Sequence, residues 1–371
     1  MIIPPARVYF PEEDIEIILD KVKEILSTGW LTLGKYNKEF EEKFSKYVGT
    51  KYAIATNSGT SALEILLRCI NVKDSSVIVP TNTFFATPAS VIHAGGKVIF
   101  ADITDNLCID PESVNEAIRK DTKAIIVVHI GGIVPPQIEE IIKICEEYNL
   151  YLIEDAAHAH GSEYKSKKAG SFGIGGAFSF YPTKVITSGE GGMITTDSED
   201  IYKKAIILRD QGKAGFYGNV HVDMGYNWRM SEIHAIIGLT QFSRLEEFIE
   251  KRQRIAKTYD RELKKIDVKP LKIPRNVRPN YYKYIAFIDE DVDRSKIKKE
   301  LKERYNIGLS GEVYELPCHL QPIFKKLYGF KGGEFPIAEE LCKRHICLPI
   351  YPTMSKDEVR YVVECLGEVM R

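Results

Sequence analysis

Residues 123–155 read KAIIVVHIGGIVPPQIEEIIKICEEYNLYLIED. The opening KAIIVVH is apolar and rich in β-branched side chains, and a Gly/Pro-containing stretch stops it. Ile138, Ile141, Ile142 and Cys145 then recur at helical spacing across 137–148. A second apolar run, 150–155, closes on Glu154 and Asp155. Strand, helix and strand in so short a stretch predict a crossover between parallel neighbours.

The same alternation extends outward. Upstream, YAIAT before Asn57, SVIVP at 76–80 and KVIFA at 97–101 are short apolar runs bounded by turn residues, with helices expected at 59–70 and 111–119. Downstream, strands are expected at 177–181 and 192–196, around a glycine-rich turn. Such a chain builds a mostly parallel α/β sheet covered on both faces. The pattern changes near residue 245. A charged helical stretch (245–265), the connector IPRNVRPN (273–280), a strand at 283–288 and helices at 295–305 and 355–369 predict a smaller α+β domain. The expected division is 10–245 for the large domain and 246–371 for the small one, with residues 1–9 joining the latter.

Composition narrows the function class. The 371 residues carry a formal net charge of −1, with no block of one sign, so nucleic acid is not an expected partner. The Lys296–Lys299 run reads as a solvated helix face. The seven cysteines show no C-x-x-C spacing, so no metal site is expected and the thiols read as free. The N-terminal MIIPPARVYFPEEDIE has no apolar signal core, and no apolar run is long enough to span a membrane. A cytoplasmic protein without membrane contact is the expectation.

Four places hold chemistry-bearing residues. Asn57-Ser58-Gly59-Thr60-Ser61-Ala62 lies between a strand and a helix, where backbone N–H groups and hydroxyls can face an anion; alone it is more often an ordinary N-cap. Asp155 ends a buried strand, where open α/β sheets bind ligands. Lys184 follows a hydrophobic strand within SFYPTK and could be a desolvated nucleophile, although a lone lysine there is usually a surface residue. Gly189-Glu190-Gly191-Gly192 permits a close backbone approach. In combination, an anion loop, a strand-end aspartate and a later lysine follow the order that a pyridoxal-phosphate (PLP) site needs.

The stretches NSGTSAL (57–63), TFFAT (83–87), EDAAHAHGS (154–162), FSFYPTK (178–184), GEGGM (189–193), GYNWRMSE (225–232), HLQP (319–322) and LPIYP (348–352) together resemble the DegT/DnrJ/StrS family of sugar aminotransferases. The resemblance covers nearly the whole chain. It implies the fold-type I architecture, with a seven-stranded, mostly parallel sheet, and PLP as cofactor. By resemblance, Lys184 is the Schiff-base lysine and Asp155 pairs with the pyridine nitrogen. His158 lies near the ring hydroxyl, and Phe84 stacks on the ring. Gly59, Thr60 and Ser179 contact the phosphate, and Asn227 reaches it from the partner subunit of a homodimer. Candidates on the substrate side are His319, Arg229 (a clamp for the donor's carboxylate, or a structural ion pair) and Glu190. The stretch His129–Pro136 departs from the family's usual polar segment.

The implied reaction takes an amino group from a donor, by resemblance L-glutamate, to a keto sugar that is nucleotide-linked. The TSGEGG segment (187–192) resembles members acting at carbon 4, with amination at carbon 3 the alternative. A PLP-dependent dehydratase goes with histidine at the lysine position, so Lys184 argues against it. A regulatory homologue without turnover is the reading from another class.

Overall fold

The computed structural model describes residues 1–215, 218–311 and 313–371. Among them, seven strands form the central sheet: β1 (Tyr52–Thr56), β2 (Ser76–Pro80), β3 (Lys97–Ala101), β4 (Thr122–Val128), β5 (Tyr151–Asp155), and, after a two-strand hairpin of β6 (Glu163–Tyr164) and β7 (Lys167–Lys168), β8 (Gly175–Ser179) and β9 (Gly192–Thr196). Their order is β1-β9-β8-β5-β4-β2-β3, and β9 alone runs against the others. Side-chain alternation splits the interior into two layers. Ile78, Ile125 and Val127 enter the core on one face, whereas Val77, Val79, Ala124 and Ile126 enter that on the other. Burial on both faces is why these strands read as continuous apolar runs.

The strand read at 177–181 begins two residues earlier. Its first two positions, Gly175 and Gly176, leave no room for a side chain. A Cβ on Gly175 would lie 2.5 Å from a Leu66 methyl, and one on Gly176 2.5 Å from the Gly170 backbone. At the β1 edge of the sheet, side chains satisfy backbone groups. Glu41 accepts the Ala55 N–H at 2.8 Å, and Arg209, paired with Glu41, donates to the Ala55 carbonyl at 2.8 Å.

The remaining strands are β10 (Lys269–Pro270), β11 (Val277–Arg278), β12 (Tyr284–Phe287) and β13 (His345–Leu348). The antiparallel sheet β10-β12-β13 packs with helices Arg294–Tyr305 and Lys356–Val369 around a third core that includes Ile3, Tyr259, Leu301 and Leu366. Helix Leu245–Glu262 serves two cores. Its Leu245, Phe248 and Ile249 belong to the first, and its Ile255, Ala256 and Tyr259 to the third. Among the described residues, none of the seven cysteines is in a disulfide. No helix among the described residues is long and apolar enough to cross a membrane.

Candidate active site

The carboxyl ends of the parallel strands open onto a cavity of about 730 Å³. One end carries a helix N-terminus, whose first backbone N–H groups have no partner within the helix. Helix Gly59–Cys69 starts there, capped by Ser58, whose hydroxyl accepts the Ser61 N–H at 3.1 Å. Gly59 lies against β8 so closely that a Cβ would sit 2.8 Å from the Ser179 Cβ. That contact brings Gly59, Thr60 and Ser179 to one wall of the cavity.

Asp155 ends β5 on the floor. Thr87 donates to one carboxylate oxygen at 2.7 Å and the Ala157 N–H to the other at 3.2 Å. Burial raises its pKa, while those two hydrogen bonds and the Lys184 charge oppose the rise. The adjacent Glu154 points the other way. It accepts backbone N–H groups from Gly170 (2.6 Å), Phe172 (2.6 Å) and Gly173 (2.9 Å) and pairs with His129 Nε2 at 2.8 Å, bracing the loop that leads into β8. One strand thus supplies a structural acid and a cavity acid by alternation.

Lys184 lines the cavity with Asp155. Burial lowers its pKa from 10.5 to about 8, helped by the like charge of Lys283 and opposed by Asp155. His158 is held in the neutral form, its pKa pushed well below 6.5 by burial and by Lys184 and Lys283. The Gly131 N–H donates to its Nδ1 at 3.3 Å, which leaves the proton on Nε2, 3.4 Å from the Tyr314 hydroxyl. The unusual stretch at 129–136 therefore fixes the tautomer of His158. Phe84, 60% exposed, stands at the rim 6.1 Å from the Tyr314 ring, and Glu190 also lines the cavity.

Two substrate-side candidates lie elsewhere. His319 is fully buried, with Nδ1 2.6 Å from the Thr81 hydroxyl and Nε2 3.1 Å from Glu339. Both ring nitrogens are engaged, so it closes the 331–339 loop and does not face the cavity. Its donor atoms and those of Glu334 and Glu339 lie within 4.8 Å of one another, but backbone N–H groups of residues 331–335 already occupy the carboxylates. Arg229 pairs with Asp210 and does not line the cavity, so the structural ion pair describes it better than the carboxylate clamp. Asn227 is exposed and also outside its own chain's cavity lining. Its carbonyl accepts from the Asn57 side chain at 3.4 Å, beside the anion loop.

Sequence reading passed over Tyr282, Tyr314 and Lys283. Tyr282 packs against His158 with ring centroids 4.3 Å apart and planes tilted by 30°, and Lys184 Nζ lies 5.0 Å from the Tyr282 centroid. The chain reaches them through Tyr281, whose φ of +52° is the left-handed region that a tyrosine rarely adopts. Arg252 donates to the Tyr281 carbonyl at 3.1 Å, and the Asn280 side chain accepts the Tyr282 N–H at 2.8 Å. The signal available in the sequence was RPNYYKY (278–284), a turn-forming Pro-Asn followed by clustered aromatics.

The profile of the DegT/DnrJ/EryC1/StrS aminotransferase family matches residues 12–367. The spore coat polysaccharide biosynthesis protein SpsC of Bacillus subtilis is 35% identical over 371 residues, covering 95% of this chain and 94% of the relative. The UDP-4-amino-4,6-dideoxy-N-acetyl-beta-L-altrosamine transaminase of Campylobacter jejuni strain 81-176 is 30% identical over 367 residues, 97% of this chain and 95% of its own. Among solved structures, Spr1654 of Streptococcus pneumoniae in its PLP form superposes with a TM-score of 0.90 at 29% identity, over 100% of this chain and 98% of that one.

Proposed function

The chain belongs to the DegT/DnrJ/EryC1/StrS aminotransferase family, and from that premise we propose that it transfers an amino group from L-glutamate to a nucleotide-linked 4-keto-6-deoxyhexose, with PLP as cofactor. The observation that carries this reading is the buried Lys184, its pKa lowered to about 8, in one cavity with Asp155.

Two features of the cavity fit PLP. Gly59, Thr60 and Ser179 form an anion-accepting wall that a Cβ at residue 59 would fill. Asp155 is a buried carboxylate whose hydrogen-bond donors are both neutral, and a cationic ring N–H would complete them. PLP, when bound, supplies an aldehyde carbon that takes up an amino group and a protonated ring that draws off electrons.

The chain's own residues do the rest. The wall of Gly59, Thr60 and Ser179 holds the phosphate. Asp155 keeps its donor protonated, and His158 offers an Nε2–H toward the ring hydroxyl. Phe84 covers the exposed side. Lys184 Nζ would take the proton from the α-carbon of L-glutamate and return it on the cofactor side. PLP would hold the amino group between the two substrates, with water supplying the keto oxygen of 2-oxoglutarate and leaving again from the keto sugar. Lys184 would move the proton in the opposite sense for the sugar. Asn227 reaches the phosphate from the partner subunit of a homodimer.

Carbon 4 is the proposed site of amination. The TSGEGG segment and the 4-amino sugar in the Campylobacter relative's name support it. The test is incubation with L-glutamate and matched 3-keto and 4-keto nucleotide sugars, with products read by NMR. An amino group on carbon 4, absent with Lys184→Ala, is the expected result. Exclusive amination at carbon 3 removes the positional reading. Failure with every keto sugar, with PLP bound, removes the activity.

A further inference from the structure

The chemistry proposed for Lys184 needs its side chain in two states. As a free amine it takes a proton, and as an ammonium it keeps that proton until it gives it up. Between the two transfers a positive charge stands in a cavity that disfavours it, because burial lowers the pKa of this lysine. An aromatic face meets that charge. Lys184 Nζ lies over the Tyr282 ring, 5.0 Å from its centroid, within the range at which the negative face of a ring attracts a cation. The ring is held at both ends. The Tyr282 N–H donates to the Asn280 side chain at 2.8 Å, and the Asn280 amide donates in turn to the His158 and His160 carbonyls at 2.8 and 3.0 Å. The Tyr282 hydroxyl lies 3.3 Å from that of Thr183, the residue before Lys184. Burial raises the pKa of this phenol, so a neutral ring and not a phenolate meets the ammonium.

Other groups act on Lys184 as well. Asp155, at the end of β5, raises its pKa, and Lys283 lowers it. Glu190 and Glu315 line the same cavity, as do the phenols of Tyr181 and Tyr314. His158 and His160, in the chain after β5, are neutral, their pKa values pushed down by burial. Asp155 is the carboxylate assigned to the ring nitrogen of PLP, so its charge is shared once the cofactor is bound. The Tyr282 face has no other task in the proposed reaction. We propose that Tyr282 is a positioning residue, whose ring face holds the Lys184 ammonium while Lys184 carries the proton. The inference rests on the proposed function for the use of that proton, and on the ring contact alone for the stabilised charge.

Four cofactor-free proteins are compared: the wild type, Tyr282→Phe, Tyr282→Leu and a chain with a trifluorinated phenylalanine at position 282. The fluorines keep the shape of phenylalanine and drain the negative charge from its face. Stopped-flow absorbance follows the rate at which each protein captures PLP as a function of pH. The ionisations of PLP and the other groups around Lys184 are common to all four, so a difference in midpoint reports the ring. Losing the face removes a contact that favours the ammonium, and the midpoint falls. Tyr282→Phe keeps the wild-type midpoint. Tyr282→Leu lowers it by about one pH unit, the scale of one desolvated cation–π contact. The trifluorinated chain has a midpoint below that of Tyr282→Phe. A ring that only keeps water out predicts the opposite sign, because Tyr282→Leu then admits water and raises the midpoint toward 10.5. Equal midpoints for phenylalanine and its trifluorinated form overturn the proposal. The two share a shape, so this pair decides the matter even where Tyr282→Leu fails to fold. Amination by the wild type is assayed in parallel. An inactive wild type whose midpoint still depends on the ring refutes the proposed function and not the contact; an active one whose midpoint ignores the ring refutes only the contact.

Discussion

At the scale of single residues, burial decides what Lys184 can do. An exposed lysine near pH 8 has roughly 1 amine in 300 unprotonated. Lys184, with its pKa lowered to about 8, has half. Only the free amine has the lone pair that attacks an aldehyde. The cofactor-free chain is therefore expected to capture PLP at a rate that rises with pH through about 8 and levels off above it. Stopped-flow absorbance measures this; a midpoint near the ordinary lysine value of 10.5 would contradict the burial argument. Asp155→Asn should keep the cofactor bound and slow the half-reaction with L-glutamate by several orders of magnitude, because the ring loses the partner that keeps it protonated. Near-normal rates in that variant would sink the assignment. That these two residues share one cavity was legible because a strand end marks the first and its spacing along the chain the second. His319 was misjudged because a match to HLQP says nothing of which way the ring points, and the ring points inward, to Thr81 and Glu339.

At the scale of elements, the close contacts that hold the site open are glycine contacts and buried carboxylates. Gly59→Ala places a methyl 2.8 Å from the Ser179 Cβ and 3.1 Å from the Phe178 carbonyl, both on a strand that cannot yield. The helix must retreat from β8. The expected cost is about 1–3 kcal/mol of stability, with weaker cofactor binding, read by thermal melting and by PLP titration. Full affinity in that variant would mean that the wall is not where phosphate sits. Glu232, the last residue of GYNWRMSE, shows a second device. Its buried carboxylate accepts the N–H groups of Gly34, Tyr36 and Asn37 at 2.9, 2.9 and 3.0 Å, capping helix Lys35–Val48 from across the chain. Glu232→Ala leaves those donors unpaired and should cost about 1–3 kcal/mol in urea unfolding, with faster amide exchange at residues 34–37. Periodicity revealed the crossover strands and helices because each repeats locally. It could not reveal this cap, whose partners are 196 residues apart for Tyr36. Nor could it reveal β13, a four-residue strand paired with β12 from across the small sheet.

At the scale of the whole molecule, one chain leaves apolar surface without cover. Leu19 and Leu26 on helix Glu12–Thr28, Leu31 just after it, and Val220, Val222 and Met224, shortly before Asn227, are large exposed hydrophobics. Scattered apolar side chains on a surface need no explanation, but runs of them beside a residue expected to act in a neighbour do. They support a homodimer, and the sharper question is whether Asn227 serves its own cavity or its partner's. Its carbonyl lies beside Asn57, next to its own anion loop, yet its side chain is exposed and outside the cavity lining. Mixing two disabled variants separates the cases. Asn227→Asp brings a negative charge toward the phosphate and should weaken cofactor binding and turnover, while Lys184→Ala has no turnover at all. If Asn227 acts across a twofold interface, a dimer with one chain of each kind has one site carrying both substitutions and one site carrying neither. Equal mixing and random re-pairing then give mixed dimers in half of the population, and about a quarter of all sites are native. Activity should rise on mixing to about a quarter of the wild-type value. If Asn227 serves its own chain, every site in the mixture keeps one of the two substitutions and mixing restores nothing. Native mass spectrometry of the mixed sample, with one variant isotopically labelled, confirms that exchange has occurred, so an unchanged rate after exchange counts directly against the shared site.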